Sequence, residues 1–129
     1  MKAKALKKYI RSSPRKMRLV IDLIRGKKVQ EALNILKFSN QISSKVAEMT
    51  LRSAVSNLNN KAENAETTIN ENDIFISATF VNQGPTMKRI QPAPMGRAFR
   101  VRKRSNHLTI EVSDGQAEIN SENEELKES

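Results

Sequence analysis

The chain has 129 residues, of which 37% are apolar, so it has room for one compact domain with a small core. Its 23 Lys and Arg against 14 Asp and Glu give a formal net charge of +9, which favours a polyanionic partner such as nucleic acid or an acidic membrane face. The absence of Cys excludes disulfide frameworks, thiolate metal sites and thiol nucleophiles. Because no apolar stretch is long enough for a bilayer and residues 1–16 lack the apolar core of a secretory signal, we expect a soluble protein.

The first part of the chain predicts a strand and two helices. Residues 3–10 mix apolar and Lys positions as a strand does. Ser13 can cap a helix that has Pro14 at its first position and that Gly26 ends. Its core-facing residues, at helical spacing, are Met17, Val20, Ile21 and Ile24. A shorter helix over 29–37 would bury Ala32, Leu33 and Leu36.

A third helix and two further strands complete the predicted core. The helix opens at Ser39 or Asn40 and runs to about residue 60, and its apolar stripe is Ile42, Val46, Met49, Val55 and Leu58. A polar loop follows over 63–72. From 74 to 81 the period changes to the alternation of a strand, and 108–112 alternate in the same way. We therefore predict an α+β fold, with three helices packed on a small three-stranded antiparallel sheet.

Positive charge is concentrated in two blocks. Residues 1–28 hold eleven Lys and Arg with one acid, and residues 84–107 hold seven Lys and Arg with none. Residues 29–83 hold four basic and six acidic residues, as in an ordinary globular protein. Like charges crowded in this way repel each other in a free monomer unless counter-charge arrives from outside. We interpret both blocks as binding surface; the alternative is that each is only a well-solvated basic face.

The second block predicts a long protruding β-hairpin at about 82–106. The middle holds residues that suit a turn: Pro92, Pro94 and Gly96. Residues 86–90 and 97–104 flank it as two arms, and the return arm has Arg100, Arg102 and Arg104 on one face. An arm of about ten residues reaches roughly 30 Å, beyond the ~14 Å radius of gyration of such a domain.

Such a hairpin needs a partner. An isolated two-stranded hairpin is marginally stable in water, and this one also carries seven cations, so we expect an anionic partner to hold it. Aromatic residues make up 4% of the chain and Trp is absent, which argues against a stacking platform for single strands. Recognition of folded RNA through its shape and phosphates fits better.

Three ordered motifs resemble a known family. Residues 13–20 (SPRKMRLV) with 22–26 (DLIRG) are similar to the opening helix of the L-twenty-two family of large-subunit ribosomal proteins. Ser53-Ala54-Val55 with Asn57 and Asn60 resembles its long helix. The family's hairpin signature is matched in order and spacing by Gly84-Pro85-Thr86, Lys88-Arg89, Pro92, Gly96-Arg97-Ala98, Arg102-Lys103-Arg104 and His107-Leu108-Thr109-Ile110. The resemblance covers roughly residues 3–112.

The resemblance implies a structural constituent of the large ribosomal subunit, located with the ribosome in the cytoplasm. Its hairpin would bridge several rRNA domains during assembly and face the nascent peptide, with an L-four-family protein across the exit tunnel. The rRNA-binding residues would be Lys7, Lys8, Arg11, Arg15, Lys16, Arg18, Arg25, Lys88, Arg89, Arg97, Arg100, Arg102, Lys103 and Arg104. The tunnel-lining tip would be Ile90, Gln91, Pro92, Ala93, Pro94, Met95 and Gly96. Residues 1–112 would form one domain, and 113–129 an acidic, disordered tail.

Other functions are weaker predictions. A sequence-tolerant DNA-binding or nucleoid protein would need a reading helix or dimer symmetry, and neither is visible. A carboxylate-dependent nuclease would need acids beside the basic surface, and 84–107 contain none. His107, the single His, is expected to be structural or to contact RNA. We expect no catalytic residue, metal, cofactor, membrane association or homo-oligomer.

Overall fold

The computed structural model describes residues 1–114. Its elements in chain order are β1 (Lys2–Ile10), α1 (Pro14–Ile24), α2 (Val29–Phe38), α3 (Ser43–Asn64), β2 (Phe75–Gln83), β3 (Met87–Pro92), β4 (Ala98–Lys103) and β5 (Asn106–Ser113). Short 3₁₀ turns lie at Glu71–Asp73 and Pro94–Gly96. The predicted α+β class, with three helices and antiparallel sheets, is confirmed.

Within residues 1–114, five strands form two sheets. In one, β5 lies between β1 and β2 and is antiparallel to both; the other consists of β3 and β4 alone. The central strand is the most deeply covered, and Leu108, Ile110 and Val112 are fully buried. Helix α3 packs on β1 and β5, whereas α1 packs chiefly on β2. The core therefore lies between the three-stranded sheet and the helices.

Helix α1 begins as predicted and ends in a different way. The Ser13 hydroxyl accepts a hydrogen bond from the Lys16 N–H (3.3 Å), with Pro14 next to the cap. At the other end Arg25 is extended and Gly26 has φ +75°, while the Lys27 N–H donates to the Ile24 carbonyl (3.2 Å). This is a type II turn, which requires a positive φ at its third position. Gly26 thus ends the helix through a turn that redirects the chain towards α2.

The predicted apolar stripe of α3 is partly wrong. Leu58 is buried, but Ile42 and Met49 are 89% and 72% exposed. The buried face instead consists mainly of Ala47, Leu51, Ala54, Leu58 and Ala62. Alanines at helical spacing let the helix lie close to the sheet, and the bulkier residues then fall on its flank. The helix also begins later and ends later than predicted, at Ser43 and Asn64.

A β-bulge overturns the simple alternation predicted for the strand over 74–81. Pairing of β2 with β5 shifts register between Ile76 and Ala78. An extra residue in one strand transfers the following side chains to the opposite face. Ile76 is therefore buried whereas Phe80 is 48% exposed, and Val81 takes the inward position.

The first two residues of the predicted tail, Ser113 and Asp114, are buried against the domain. Ser113 is buried as the last residue of β5, and the Asp114 Oδ1 lies 3.0 Å from the amino group of Met1. The rest of the predicted tail lies outside the described residues.

Candidate nucleic-acid interface

Strands β3 and β4 form a hairpin that is exposed on both faces. Its register runs from Met87 opposite Lys103 to Pro92 opposite Ala98. Every side chain of the two strands is exposed except that of Val101, which is half-buried. Neither face of the hairpin therefore packs on the globular part of the chain.

The tip of the hairpin is a tight turn with an exposed apex. Met95 and Gly96 have φ values of +65° and +69°, as the primed turns of β-hairpins require, and the Ala93 N–H donates to the Arg97 carbonyl (2.8 Å). Met95 is 96% exposed. Of the predicted tip residues, Ile90, Gln91 and Pro92 belong to β3, and 93–96 form the turn. None of the seven carries a charge.

The electrostatics of the hairpin are unbalanced. Lys88 lies directly opposite Arg102 in the ladder, and like charges at this separation destabilise a strand pair. Within residues 1–114, no carboxylate forms a salt bridge with any of the seven hairpin cations. The hairpin therefore carries a positive potential that the described part of the chain does not neutralise.

The base of the hairpin is held by a close backbone approach. The Gly84 N–H donates to the Ser105 carbonyl (2.9 Å), and the Ser105 hydroxyl donates to the Pro85 carbonyl (2.6 Å). A Cβ at Gly84 would lie 2.5 Å from the Ser105 Oγ and 3.3 Å from the His107 Cε1. Gly84 is thus needed for the contact that sets where the two arms leave the sheet.

The end of β1 is attached to the same region. Its pairing with β5 shifts register between Lys7 and Ile10, and Tyr9 within this bulge has φ +58°. The Tyr9 N–H donates to the His107 Nδ1 (3.0 Å), and the two rings meet edge to face with centroids 5.0 Å apart. The Asn106 amide also donates to the carbonyl and hydroxyl oxygens of Ser12, both at 2.8 Å. His107 therefore has the structural role that the sequence allowed.

These contacts bring the two basic blocks together around one groove. The groove has a volume of about 790 Å³ and lies between the β1–α1 connection and the base of the hairpin. The first block contributes Arg11 and Lys16, and the second contributes Arg102, Lys103 and Arg104. Five exposed cations thus surround a space wide enough for an extended anion, and we call it the basic groove.

The structure brings together only some of the predicted binding residues at the basic groove. Lys88, Arg89, Arg100 and Arg102 line a depression of about 420 Å³ along the hairpin, while Arg97 is exposed beside the tip. Lys8 and Arg15 are exposed but line none of these hollows, and Lys7 lies instead at a separate groove between β1 and α3.

Two predicted binding arginines have a structural role as well. The Arg18 guanidinium donates to the Val81 carbonyl (3.1 Å), and that of Arg25 donates to the Thr79 carbonyl (3.2 Å). Both bonds fasten α1 to β2. Since a guanidinium has five donors, each arginine retains donors for a second partner.

Sequence reasoning missed the uncharged residues of the basic groove: Tyr9, Ser12, Ser13, Pro85, Met87 and Ser105. The one available indication was Tyr9, the single Tyr of the chain, which stands among cations between Lys8 and Arg11. The bulge that turns it towards the groove leaves no clear pattern in the sequence.

Comparison with known proteins identifies the family. Residues 5–113 match the family model described as ribosomal protein L22p/L17e. The chain belongs to this family. The match runs from within β1 to the end of β5, and it includes the whole hairpin and all but the first four residues of the basic blocks.

The chain matches curated relatives over most of their length. The chain is 54% identical over 112 residues to large ribosomal subunit protein uL22 of Chlorobium phaeobacteroides strain BS1, covering 87% of this chain and 94% of that protein. It is 51% identical to uL22 of Chlorobaculum tepidum, covering 87% and 92%. It is 46% identical over 116 residues to uL22 of Fusobacterium nucleatum, covering 90% and 100%. Among residues 1–114, no helix has the length and apolar character needed to cross a membrane.

Proposed function

We propose that this protein is a structural component of the large ribosomal subunit and that it binds rRNA through the basic groove and the hairpin. One observation carries the proposal. In a member of a ribosomal protein family, two basic segments that are distant in sequence meet around a groove. A hairpin extends from the rim of that groove, and its cations form no salt bridge within residues 1–114. Residues 1–112 act as one binding domain, and no catalytic step is part of this role.

The mechanism is electrostatic. Arg and Lys side chains neutralise phosphates where RNA segments crowd together, and counterions released from the RNA drive association. Arg102 and Arg104 can each grip a phosphate with two N–H groups, whereas Lys16 acts as a point charge. RNA bound on both sides of the hairpin would also screen the repulsion between Lys88 and Arg102. Because its two faces are both exposed, the hairpin can contact several RNA domains at once.

The tip has a different role from the arms. Residues 90–96 carry no charge, so they offer little attraction to phosphate and none to the charges of a passing peptide. An exposed apolar residue at the apex, Met95, suits a surface that a nascent chain slides past. We therefore propose that the tip lines the peptide exit tunnel, opposite a protein of the L-four family.

The salt dependence of RNA binding tests the electrostatic mechanism. We expect the affinity of the purified chain for its large-subunit rRNA fragment to fall steeply with salt concentration, as a straight line of log K against log[salt]. Replacing Arg97, Arg100 and Arg102 together by Ala should make that slope shallower by about 2–3, because three phosphate contacts are lost. The circular dichroism spectrum should not change, since all three side chains are exposed. The variant should also be depleted from large subunits that are separated by sedimentation and quantified by mass spectrometry.

A matched triple variant controls for net charge. Replacing Lys37, Lys45 and Arg52 by Ala removes the same charge from exposed positions on α2 and α3, outside both basic blocks. This control should keep the wild-type slope and normal incorporation. A flat salt plot for the wild type, or equal slopes for the two triple variants, would contradict the proposal. Equal affinity for duplex DNA would favour the nucleoid alternative.

A further inference from the structure

We propose that the Tyr9 ring is a stacking site for an unpaired base of the bound RNA. The inference rests on the proposed function, and it adds a base-contacting subsite to a surface otherwise described by its charges. Tyr9 is not one of the Lys and Arg residues predicted to bind rRNA, and it lies where the basic groove meets the end of β1.

The ring is available and is not part of the core. Tyr9 is 65% exposed although it belongs to a strand whose neighbour Ile10 is buried. The Tyr9 hydroxyl has no hydrogen-bond partner within residues 1–114. The one aromatic ring that contacts the Tyr9 ring there is that of His107, edge to face. The ring is therefore open to a partner outside the chain.

The ring is also held in place before any partner arrives. Tyr9 lies in the β-bulge with φ +58°, a conformation that is uncommon for a bulky residue. Its N–H is fixed by the His107 Nδ1 at 3.0 Å, and the imidazole stands at 89° to the phenol. Strained, well-supported positions of this kind occur at binding sites. A ring that is fixed in advance loses little entropy when a base stacks on it.

The surroundings favour a nucleobase over other flat ligands. Arg11 and Lys16 line the groove with Tyr9, and 102–104 supply three more cations. An RNA strand held by these charges through its phosphates would carry its bases past the ring. In folded RNA the bases that can stack on aromatic side chains are those of loops and bulges. We therefore assign the site to an unpaired base rather than to the face of a helix.

A fluorine label gives a direct test. Because the chain has one Tyr, protein labelled with 3-fluorotyrosine has a single fluorine NMR resonance. On addition of the large-subunit rRNA fragment, stacking should move this resonance upfield through the ring current of the base. The same concentration of a fully paired RNA duplex should leave the resonance nearly in place, because it offers no unpaired base.

Substitutions test the contribution to affinity. Tyr9→Ala should weaken binding to the rRNA fragment by about 5- to 150-fold, the range found when a stacked aromatic is removed. Tyr9→Asn should weaken binding similarly. Because Asn tolerates a positive φ, this variant provides the same test if the Ala variant folds poorly. Tyr9→Phe keeps the stacking face and should bind within about threefold of wild type. Phe38→Leu is the matched control, because Phe38 is 78% exposed on α2, away from the groove, and should bind as wild type does.

The salt plot separates this inference from the proposed function. Tyr9→Ala removes no charge, so its line of log K against log[salt] should lie parallel to that of the wild type. An unmoved fluorine resonance together with wild-type affinity of the Ala and Asn variants would overturn the stacking site, while a steep wild-type slope would still support rRNA binding. A flat wild-type slope would instead reject the proposed function.

Discussion

Replacing Gly84 by Ala tests how the base of the hairpin is built. Gly84 lies outside the positive-φ region, so an Ala can adopt its backbone conformation and the effect on the folded state comes from the added methyl group. That methyl would lie 2.5 Å from the Ser105 Oγ, 3.2 Å from the Ser105 carbonyl carbon and 3.3 Å from the His107 Cε1. The hydroxyl must move, and its 2.6 Å bond to the Pro85 carbonyl is then lost.

The magnitude follows from three contributions. Loss of the hydroxyl's hydrogen bond costs about 1 kcal/mol, and crowding against the backbone and the imidazole costs about 1–3 kcal/mol. The reduced entropy of the unfolded chain offsets about 0.4–1 kcal/mol. We expect the free energy of unfolding to fall by about 2 kcal/mol. At about 4 °C per kcal/mol, between the values for smaller and larger domains, the melting temperature should fall by roughly 8 °C.

Urea unfolding followed by far-UV circular dichroism measures this change. A double-mutant cycle with Ser105→Ala identifies its cause, because that substitution removes the nearest atom of the clash. The double variant should be more stable than the sum of the two single effects predicts, by about 1 kcal/mol. Wild-type stability of Gly84→Ala, or strict additivity in the cycle, would refute the close approach as the reason for a glycine at this position.

Three further stability predictions follow, each measured by thermal and urea unfolding. Gly26→Ala should cost about 1–2 kcal/mol because of its φ of +75°, and Gly26→Asn should cost less; equal costs would contradict the conformational explanation. Ser13→Ala should cost about 1 kcal/mol through loss of the helix cap, whereas Ser13→Asp should retain most of the stability. Leu51→Ala should cost about 2–5 kcal/mol because Leu51 is fully buried, whereas Met49→Ala should cost under about 0.5 kcal/mol because Met49 is 72% exposed; the reverse order would restore the stripe predicted from the sequence.

Local patterns were good predictors where one short-range interaction decides the structure. Ser13 followed by Pro14 predicted the start of α1, because a cap and a fixed φ act within one turn. Alternation predicted β5, because every second residue of a strand faces the same side, as the buried Leu108, Ile110 and Val112 do. The turn around Gly96 followed from two prolines, whose φ is fixed, and a glycine, which adopts a positive φ without strain. Both basic blocks were also identified from the sequence, because Lys, Arg, Asp and Glu can be counted along it directly.

The same patterns gave wrong predictions where long-range packing decides which side chains are buried. Met49 and Leu51 are both apolar residues of α3, and the choice between them depends on how closely the helix lies on the sheet. The bulge after Ile76 transfers Phe80 to the exposed face, and only pairing with β5 determines where it falls. Helix α1 is likewise fastened to β2 by Arg18 and Arg25, whose guanidinium groups donate to carbonyls more than fifty residues away.

The sequence by itself determined that this chain is a small basic α+β protein with a cationic hairpin, because composition, charge and short-range periodicity are properties of consecutive residues. The tertiary structure alone decided that Arg11 and Lys16 meet the base of that hairpin around one groove, with Tyr9 on its wall. About ninety positions separate Arg11 and Lys16 from the cations at the base of the hairpin. Antiparallel pairing of β1 with β5, and the bulge at the end of β1, bring the two groups together. Charge therefore predicted a polyanionic partner, and strand pairing determined where the cations meet.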